Sequence, residues 1–508
     1  MDRRAFVTTS FAAAASLRRM SAAGERINHY LPKTDTHYRQ VQSYVEEVPV
    51  PEYRWASDAA YEAFRDIKYG VRLHWGPYSI AGEPGESWPF LAMSFEERQR
   101  YQQLCRTWNP NFFNADEWMQ LFAAGGMKMF AFTSKHHDGF SMFDTRTRVR
   151  KRTNWSAPGG PRMEACDLAY SIMETPFKRD VVKELCEAAR KRNIKVDLYF
   201  SHPDWYDADF RPYIYHPLQV PSSGTLTRDF EQAKKRLGNR LVTVPDPTPE
   251  EVDRMMARHR AQLTELLTRY GKIDMLCLDM WLGPKVWPKL RETILHLRRL
   301  QPDVMLRNRG IGNYGDYYTP EGFVPGKVEN TNAPWFVIYP LGSSFSYEPL
   351  PENYKGAAWI VRNLVDSVAK GGNFMVGIGP DGEGRFHPTA VSQLKDVGEW
   401  LKVNSEGIYG TRARERAMWS EGDSIRFSRT KDGRTVYAHV LEWPGEKLLL
   451  RSVYPQQGSA VHMLGTSQAL KWSRNNSGME VQIPPGMQDA SRRPCRFAWV
   501  FRIRVETA

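Results

Sequence analysis

From about residue 58 to residue 411, short apolar runs alternate with longer stretches in which apolar residues recur every three or four positions. The short runs lie at 70–75, 127–134, 195–201, 275–281, 304–308 and 374–378. Their β-branched and aromatic content, with polar residues or glycine on either side, is that of strands buried on both faces. The longer stretches predict helices over 116–124, 178–191, 248–270, 285–300 and 357–369. In the second of these, Val181, Val182, Leu185 and Ala189 fall on one helical face. In the third, Pro249 occupies the first turn and Glu250, Glu251 and Asp253 follow, where acidic side chains complement unpaired N–H groups.

Six strands with five helices alternating between them predict an α/β fold, a (β/α) barrel of the TIM type. A doubly wound sheet would carry a glycine-rich phosphate loop after its first strand, and Gly76-Pro77-Tyr78 is no such loop. Past residue 412 the pattern changes to closely spaced strand-like runs at 424–429, 435–441, 447–452, 460–464, 479–483 and 497–505. Turns such as Lys431-Asp432-Gly433 and Pro444-Gly445 separate them, which predicts a C-terminal antiparallel β-sandwich. The expected division is a barrel over 26–411 and a sandwich over 412–508. The polar, poorly periodic stretch 207–248 is expected as a long loop on the barrel's active face.

The first 25 residues stand apart, with Arg3-Arg4, an apolar stretch at 5–17 and the small residues Ser21-Ala22-Ala23. They resemble a twin-arginine export signal and predict a periplasmic or extracellular protein. Every apolar run falls short of the ~18 residues that span a bilayer, so no membrane span is expected. The formal charge is +12, yet the basic residues are dispersed, densest at 146–152 and 234–240, and form no nucleic-acid reading motif. A solvated basic surface is the first reading and an anionic polysaccharide partner the second; nucleic acid is not expected. Cys105, Cys166, Cys186, Cys277 and Cys495 are widely spaced without a CxxC pair, which argues against zinc and against a disulfide framework. Cys277, inside an apolar run, reads as a small buried hydrophobe. The 16 Trp, 23 Tyr and 24 Phe can fill large cores and also offer ring faces to a sugar.

A barrel builds its site from strand ends and loops at its C-terminal face. Five runs end there in polar or aromatic residues: His74-Trp75, His136-His137-Asp138, Tyr199 with His202 and Asp204, Asp279-Met280-Trp281, and Arg307-Asn308-Arg309. Adjacent histidines on an extended chain point to opposite faces, so His136 and His137 are expected to bind hydroxyls rather than to share a metal. Asp279 closes an apolar run, where a carboxylate is costly unless it is paired or used. An ion pair with an arginine is one reading, and a nucleophile for an anomeric carbon is the other. The second reading needs a further carboxyl, protonated, and Glu321 and Glu329 are the downstream candidates.

HWGPYS at 74–79, KHHDGF at 135–140, LDMW at 278–281, GDYYTPE at 315–321 and KGGNFMVGIGP at 370–380 together resemble glycoside hydrolase family 29, the α-L-fucosidases. FNADEW at 113–118, KRDVV at 178–182 and the segment 398–411 add to a likeness that runs in order over about 58–411. The resemblance implies a retaining exo-glycosidase without cofactor or metal. Its substrate would be terminal α-L-fucose on a glycan or polysaccharide, cleaved through a covalent glycosyl-aspartate. Asp279 is then the nucleophile and Glu321 the acid/base, with Glu329 as the alternative. Sugar contacts are implied from His74, His136, His137, Tyr199 and Arg309, and from Glu86 and Trp88 in the loop after the first strand; Trp281 joins them as an aromatic at the same rim. Two departures bear on sugar and linkage preference. Met280 stands where the family often has glycine, and Gly377-Ile378-Gly379-Pro380 stands where many members read NIGP. An α-L-galactosidase on the same scaffold, and a carbohydrate-binding protein that has lost catalysis, stay open as readings of the sequence. So does the oligomeric state.

Overall fold

The computed structural model describes residues 46, 48–82, 84–211, 216–218, 245–322, 324, 333–414 and 418–506. The expected export signal, the candidate Glu329, the basic cluster at 234–240 and most of the 207–248 loop lie outside them. Among the described residues no helix is long and apolar enough to cross a membrane.

In chain order the helices of the N-terminal part are α1 (Asp58–Arg65), α2 (Pro77–Ala81), α3 (Phe95–Gln103), α4 (Ala115–Ala124), α5 (Val181–Arg190), α6 (Pro249–Arg269), α7 (Trp287–Leu300), α8 (Ala357–Ala369) and α9 (Pro388–Asn404). Its strands are β1 (Tyr69–Leu73), β2 (Met129–Lys135), β3 (Val149–Asn154), β4 (Arg162–Leu168), β5 (Lys195–Ser201), β6 (Met275–Asp279), β7 (Met305–Leu306), β8 (Phe336–Pro340) and β9 (Asn373–Ile378). Side-chain caps set the helix starts. Thr248 and Glu251 form a capping box at α6, and the Asp180 carboxylate accepts the Lys183 N–H at α5. That cap is why α5 begins at Val181, three residues later than its periodicity suggests.

Seven of the strands form one parallel sheet in the order β7-β6-β5-β2-β1-β9-β8. The gap between β7 and β8 is spanned by residues 316–322, which are not a regular strand. Parallel bridges join Arg307 to Tyr317, Tyr318 to Trp335, and Glu321 to Ile338. The Asn308 N–H donates to the Tyr317 carbonyl at 3.1 Å and the Phe336 N–H to the Tyr318 carbonyl at 3.1 Å. Pro320 has no N–H to give a ladder, so this stretch pairs only in places. β8, a five-residue run closed by Pro340, and this irregular stretch are the two barrel positions missing from the hydrophobic pattern.

Strand alternation sorts the side chains into layers. Leu276 and Leu278 face the helices, while Met275, Cys277 and Asp279 face the barrel axis, successively nearer its mouth. The lowest layer is apolar, with Met129, Met275, Met305, Phe336 and Met375 plugged from beneath by Tyr61 and Phe64 of α1. The next is polar and buried: Arg72, Asp197, Cys277 and Arg307. Cys277 is therefore buried as expected but not in apolar company, since Arg72 Nη2 and Arg307 Nη1 donate to its sulfur at 2.8 and 2.9 Å.

β3 and β4 pair as an antiparallel hairpin. The hairpin and the residue before it carry three arginines of the 146–152 cluster in ion pairs, Arg148 with Asp167 and Glu174, Arg150 with Asp167, and Arg152 with Glu164.

The C-terminal strands are β10 (Arg412–Ala413), β11 (Ser420–Glu421), β12 (Ile425–Arg429), β13 (Thr435–Val440), β14 (Lys447–Leu450), β15 (Val461–Met463), β16 (Ala469–Leu470), β17 (Trp472–Asn475), β18 (Gly478–Gln482) and β19 (Trp499–Arg504). They make two antiparallel sheets, β10-β12-β13-β19-β15-β16 with β11 beside β12, and β14-β18-β17. Phe427, Ala438 and Phe501 from one sheet meet Leu448, Leu450, Met479 and Val481 from the other in a common core, as in a sandwich.

Closure of the barrel rests on Asp316. Its carboxylate accepts the Leu306 N–H at 2.7 Å, the Ala56 N–H at 3.0 Å and the Tyr61 hydroxyl at 2.8 Å, and it pairs with Arg298. Asp316→Ala leaves the buried Arg298 charge uncompensated and is expected to lower the unfolding free energy by about 3–5 kcal/mol. A urea titration would show this as a lower midpoint at unchanged slope; a loss under about 1 kcal/mol would remove Asp316 from this role.

Candidate active site

Asp279 is the last residue of β6, so its carboxylate emerges at the mouth of the barrel while its backbone stays in the sheet. Tyr199, two residues before the end of β5, donates its hydroxyl to Asp279 Oδ2 at 2.7 Å. Arg309 Nη1 donates to Oδ1 at 3.2 Å, and Arg307 Nη1 lies 3.9 Å from the same oxygen. Burial works against the charge of Asp279. Arg307, Arg309, His137 and the Tyr199 hydroxyl outweigh it and hold the carboxyl well below the usual carboxylate range. The ion pair and the chemical role considered for Asp279 are thus not rivals: the arginines keep it ionised.

The same guanidinium reaches the second carboxyl. Arg309 Nη2 donates to Glu321 Oε1 at 2.7 Å and to the Thr319 carbonyl at 3.0 Å, and Arg307 Nη2 donates to Glu321 Oε1 at 3.3 Å. Glu321 sits at the end of the irregular stretch that closes the barrel. Its side chain is 31% exposed against 13% for Asp279, so the two carboxyls differ in access to solvent.

Around this pair the strand ends place a wall of neutral polar rings. His74 follows β1, with Nδ1 3.1 Å from the Thr133 hydroxyl, and its ring lies 5.4 Å from those of His136 and Tyr199. His136 Nδ1 meets the Ser87 hydroxyl. His137 Nδ1 lies 2.8 Å from the Ser201 hydroxyl, which lies 3.1 Å from the Tyr199 hydroxyl, so a hydrogen-bonded chain runs from His137 to Asp279. Burial pushes the pKa of all three histidines down, that of His137 to about 4. They are neutral near pH 7.

The expectation that His136 and His137 point to opposite faces does not hold. Their ring centroids are 4.2 Å apart. The β2–β5 register shifts between Thr133 and Lys135, and the chain leaves the extended conformation at the histidines, so strand alternation no longer applies. Among the described residues no group of three His, Cys, Asp or Glu side chains is placed to hold a metal ion.

Glu86 and Trp88 come from the loop after β1. The Trp88 ring is 4.6 Å from that of His137. Burial pushes the Glu86 carboxyl up to about 7, and the backbone N–H groups of Phe345 and Ser346 nearby only partly offset it. The Trp281 ring packs 6.0 Å from that of Trp287 of α7. His202, another strand-end candidate, pairs with His259 of α6 at 2.9 Å.

The pattern of strand ends missed three residues that share this site: Ser87, Ser201 and Phe345. The first two are small hydroxyls without a signature of their own. Arg307 was visible beside Arg309. Phe345 follows the unrecognised β8, and its ring lies 5.6 Å from His74. A side chain at Gly377 would collide with the Phe345 ring, so the glycine at that position makes room for it.

Two backbone features fix the turn after Asp279. Met280 has φ +67°, a left-handed conformation that costs a side-chain-bearing residue on the order of 1–2 kcal/mol, which accounts for glycine as an alternative there. Gly310 has φ +77°, and a Cβ on it would overlap the Met280 carbonyl and the His202 ring.

A family model described as Alpha-L-fucosidase matches residues 40–406, and one described as Alpha-L-fucosidase C-terminal domain matches residues 420–504. Tissue alpha-L-fucosidase of Bos taurus is 28% identical over 474 residues, covering 87% of each chain. Plasma alpha-L-fucosidase of Homo sapiens is 26% identical over 462 residues, covering 87% of this chain and 89% of that protein. Among solved structures, alpha-L-fucosidase isoenzyme 1 from Paenibacillus thiaminolyticus matches with a TM-score of 0.71 at 25% identity, over 88% of this chain and 99% of that one.

Gly310→Ala is expected to cost about 2–3 kcal/mol, since strain and overlap coincide there. Thermal unfolding of the purified variant measures this, and a wild-type melting temperature would contradict the close packing at the Met280 turn.

Proposed function

This chain belongs to the alpha-L-fucosidase family, and from that premise we propose that it releases terminal α-L-fucose from glycans by double displacement with retention. The observation that carries the reading is the Arg309 guanidinium, with Asp279 on one nitrogen and Glu321 on the other. Two carboxyls so close, one buried and ionised and one nearer solvent, suit a nucleophile and an acid/base.

Asp279 attacks the anomeric carbon while Glu321, protonated, gives its proton to the leaving oxygen. One tension needs resolving, because two arginines also favour the ionised form of Glu321. Before attack, the Asp279 charge offsets much of their field. Once Asp279 is esterified it is neutral, and Arg307 and Arg309 act on Glu321 alone. The proton affinity of Glu321 then falls at the moment when it must serve as base towards the incoming water. The arginines thus support opposite roles of one residue in successive steps.

The neutral rings of His74, His136, His137 and Tyr199 provide donors and acceptors for sugar hydroxyls without adding net charge. Glu86, its carboxyl pushed up to about 7, can accept from or donate to a hydroxyl, and Phe345 and Trp88 offer apolar faces to the ring and its C5 methyl. The leader-like residues 1–25 belong to the same proposal, in which the enzyme is exported and meets fucosylated glycans outside the cytoplasm.

Asp279→Ala is expected to reduce kcat on an aryl α-L-fucoside by about 10⁴-fold or more. Added azide should restore part of the turnover and yield a fucosyl azide of inverted configuration, identified by NMR. Unchanged activity in the variant ends the proposal. The pH profile gives a second check. Catalysis needs Asp279 ionised, and its pKa lies below the usual range, so activity should persist on acidification past the ordinary carboxylate pKa of about 4. Loss of kcat/KM well above pH 5, in enzyme that remains folded, would assign the nucleophile elsewhere.

A further inference from the structure

Directly beneath the catalytic carboxyls, the Cys277 sulfur takes hydrogen bonds from two guanidiniums, Arg72 Nη2 at 2.8 Å and Arg307 Nη1 at 2.9 Å. Cys277 is wholly buried, and both arginines are almost so. The Arg72 guanidinium also lies over the Tyr199 ring, 5.1 Å from its centroid, and the Tyr199 hydroxyl is bonded to Asp279. Arg307 is therefore held from two sides. Below, it is anchored by sulfur; above, it reaches Asp279 at 3.9 Å and Glu321 at 3.3 Å, both longer than the corresponding contacts of Arg309.

We infer that Cys277 is a positioning residue for the fucosidase reaction: its sulfur holds Arg307 down, away from Glu321, so that Glu321 can carry the proton it must give to the leaving oxygen. The inference rests on the retaining reading given above. Two like charges, Arg72 and Arg307, share the sulfur between them, and each Nη–H spent on it is one fewer for the carboxyls overhead. Without that acceptor, Arg307 keeps Asp279 and Glu321 as its side-chain contacts, while Asp197 and Tyr317 also feel its charge, neither within ion-pair or hydrogen-bond contact of it. Arg307 would rise and close a tighter pair with Glu321. A guanidinium in full contact favours the ionised carboxyl and lowers its pKa. The acid would then lose its proton at lower pH, before the leaving group could take it. Cys277 acts only through Arg307 and touches no reacting atom.

The test compares Cys277→Ala, which removes the acceptor, with Cys277→Ser, whose hydroxyl oxygen can still accept from both arginines. In Cys277→Ala the alkaline limb of kcat/KM should move down by about one pH unit, so activity at a fixed pH on that limb falls about tenfold. The loss should be severe for fucosides with poor leaving groups and less than about threefold for an aryl fucoside whose leaving group departs without protonation. Cys277→Ser should keep the wild-type limb. A folded Cys277→Ala enzyme with the wild-type profile overturns the inference, as does a Cys277→Ser profile displaced as far as that of the alanine variant. A crystal structure of Cys277→Ala provides a measure independent of turnover. Arg307 Nη2 is expected closer to Glu321 than in the parent, and an unmoved Arg307 also overturns the inference. Failure of the parent enzyme to release fucose from any α-L-fucoside would instead defeat the retaining reading itself.

Discussion

A carboxylate at the end of a buried strand would ordinarily take up a proton, because an ionised group loses its hydration when water is removed. Asp279 is kept charged by two guanidiniums and a tyrosine hydroxyl, and much of the surrounding construction serves those three groups. Arg309 is placed by the turn after β7 and braced on the Thr319 carbonyl. Arg307 is fastened to the Cys277 sulfur inside the barrel. Tyr199 is aligned by Ser201, which in turn meets His137. The charge is a property of several strands acting together, as expected when a fold must hold an ion where solvent cannot.

The way the ring of strands closes has chemical weight of its own. A regular eighth strand would have buried its residues in the ladder. Here residues 316–322 pair irregularly, held at one end by Asp316 and interrupted by Pro320, and Glu321 is left at the rim within reach of both arginines. The two carboxyls thus arrive by different means, one on a rigid strand and the other on a stretch fastened at its base. Their unequal exposure follows from that difference.

Much of the site was legible along the chain because strands buried on both faces leave little reason for charge at their ends. Asp279, His74 and Arg309 stood out on that ground, and the barrel followed from the repeating strand–helix pattern. Glu321 was legible only as one of two carboxyls on a segment without periodicity, since partial pairing around a proline leaves no alternation to read. β8 went unseen because five residues ending in proline look like a loop, and Phe345 was lost with it. His136 and His137 were misjudged in direction because strand geometry was applied to the two residues beyond the point where the strand ends. Cys277 was judged by its apolar neighbours in sequence, whereas its partners are Arg72 of β1 and Arg307, just past the end of β7. Those contacts lie 205 and 30 positions away along the chain, and local pattern carries no trace of them.

The collision that any side chain at Gly377 would make with the Phe345 ring ties β9 to the loop after β8. That loop also brings the Phe345 and Ser346 N–H groups close enough to act on the charge of Glu86, which comes from the loop after β1. Three segments of the barrel mouth therefore form one mechanical unit. For enzyme engineering this means that loop grafts from relatives with a bulkier residue at position 377 should be transplanted as matched sets, with residues 377, 345 and 86 randomised together in a single library rather than scanned one at a time.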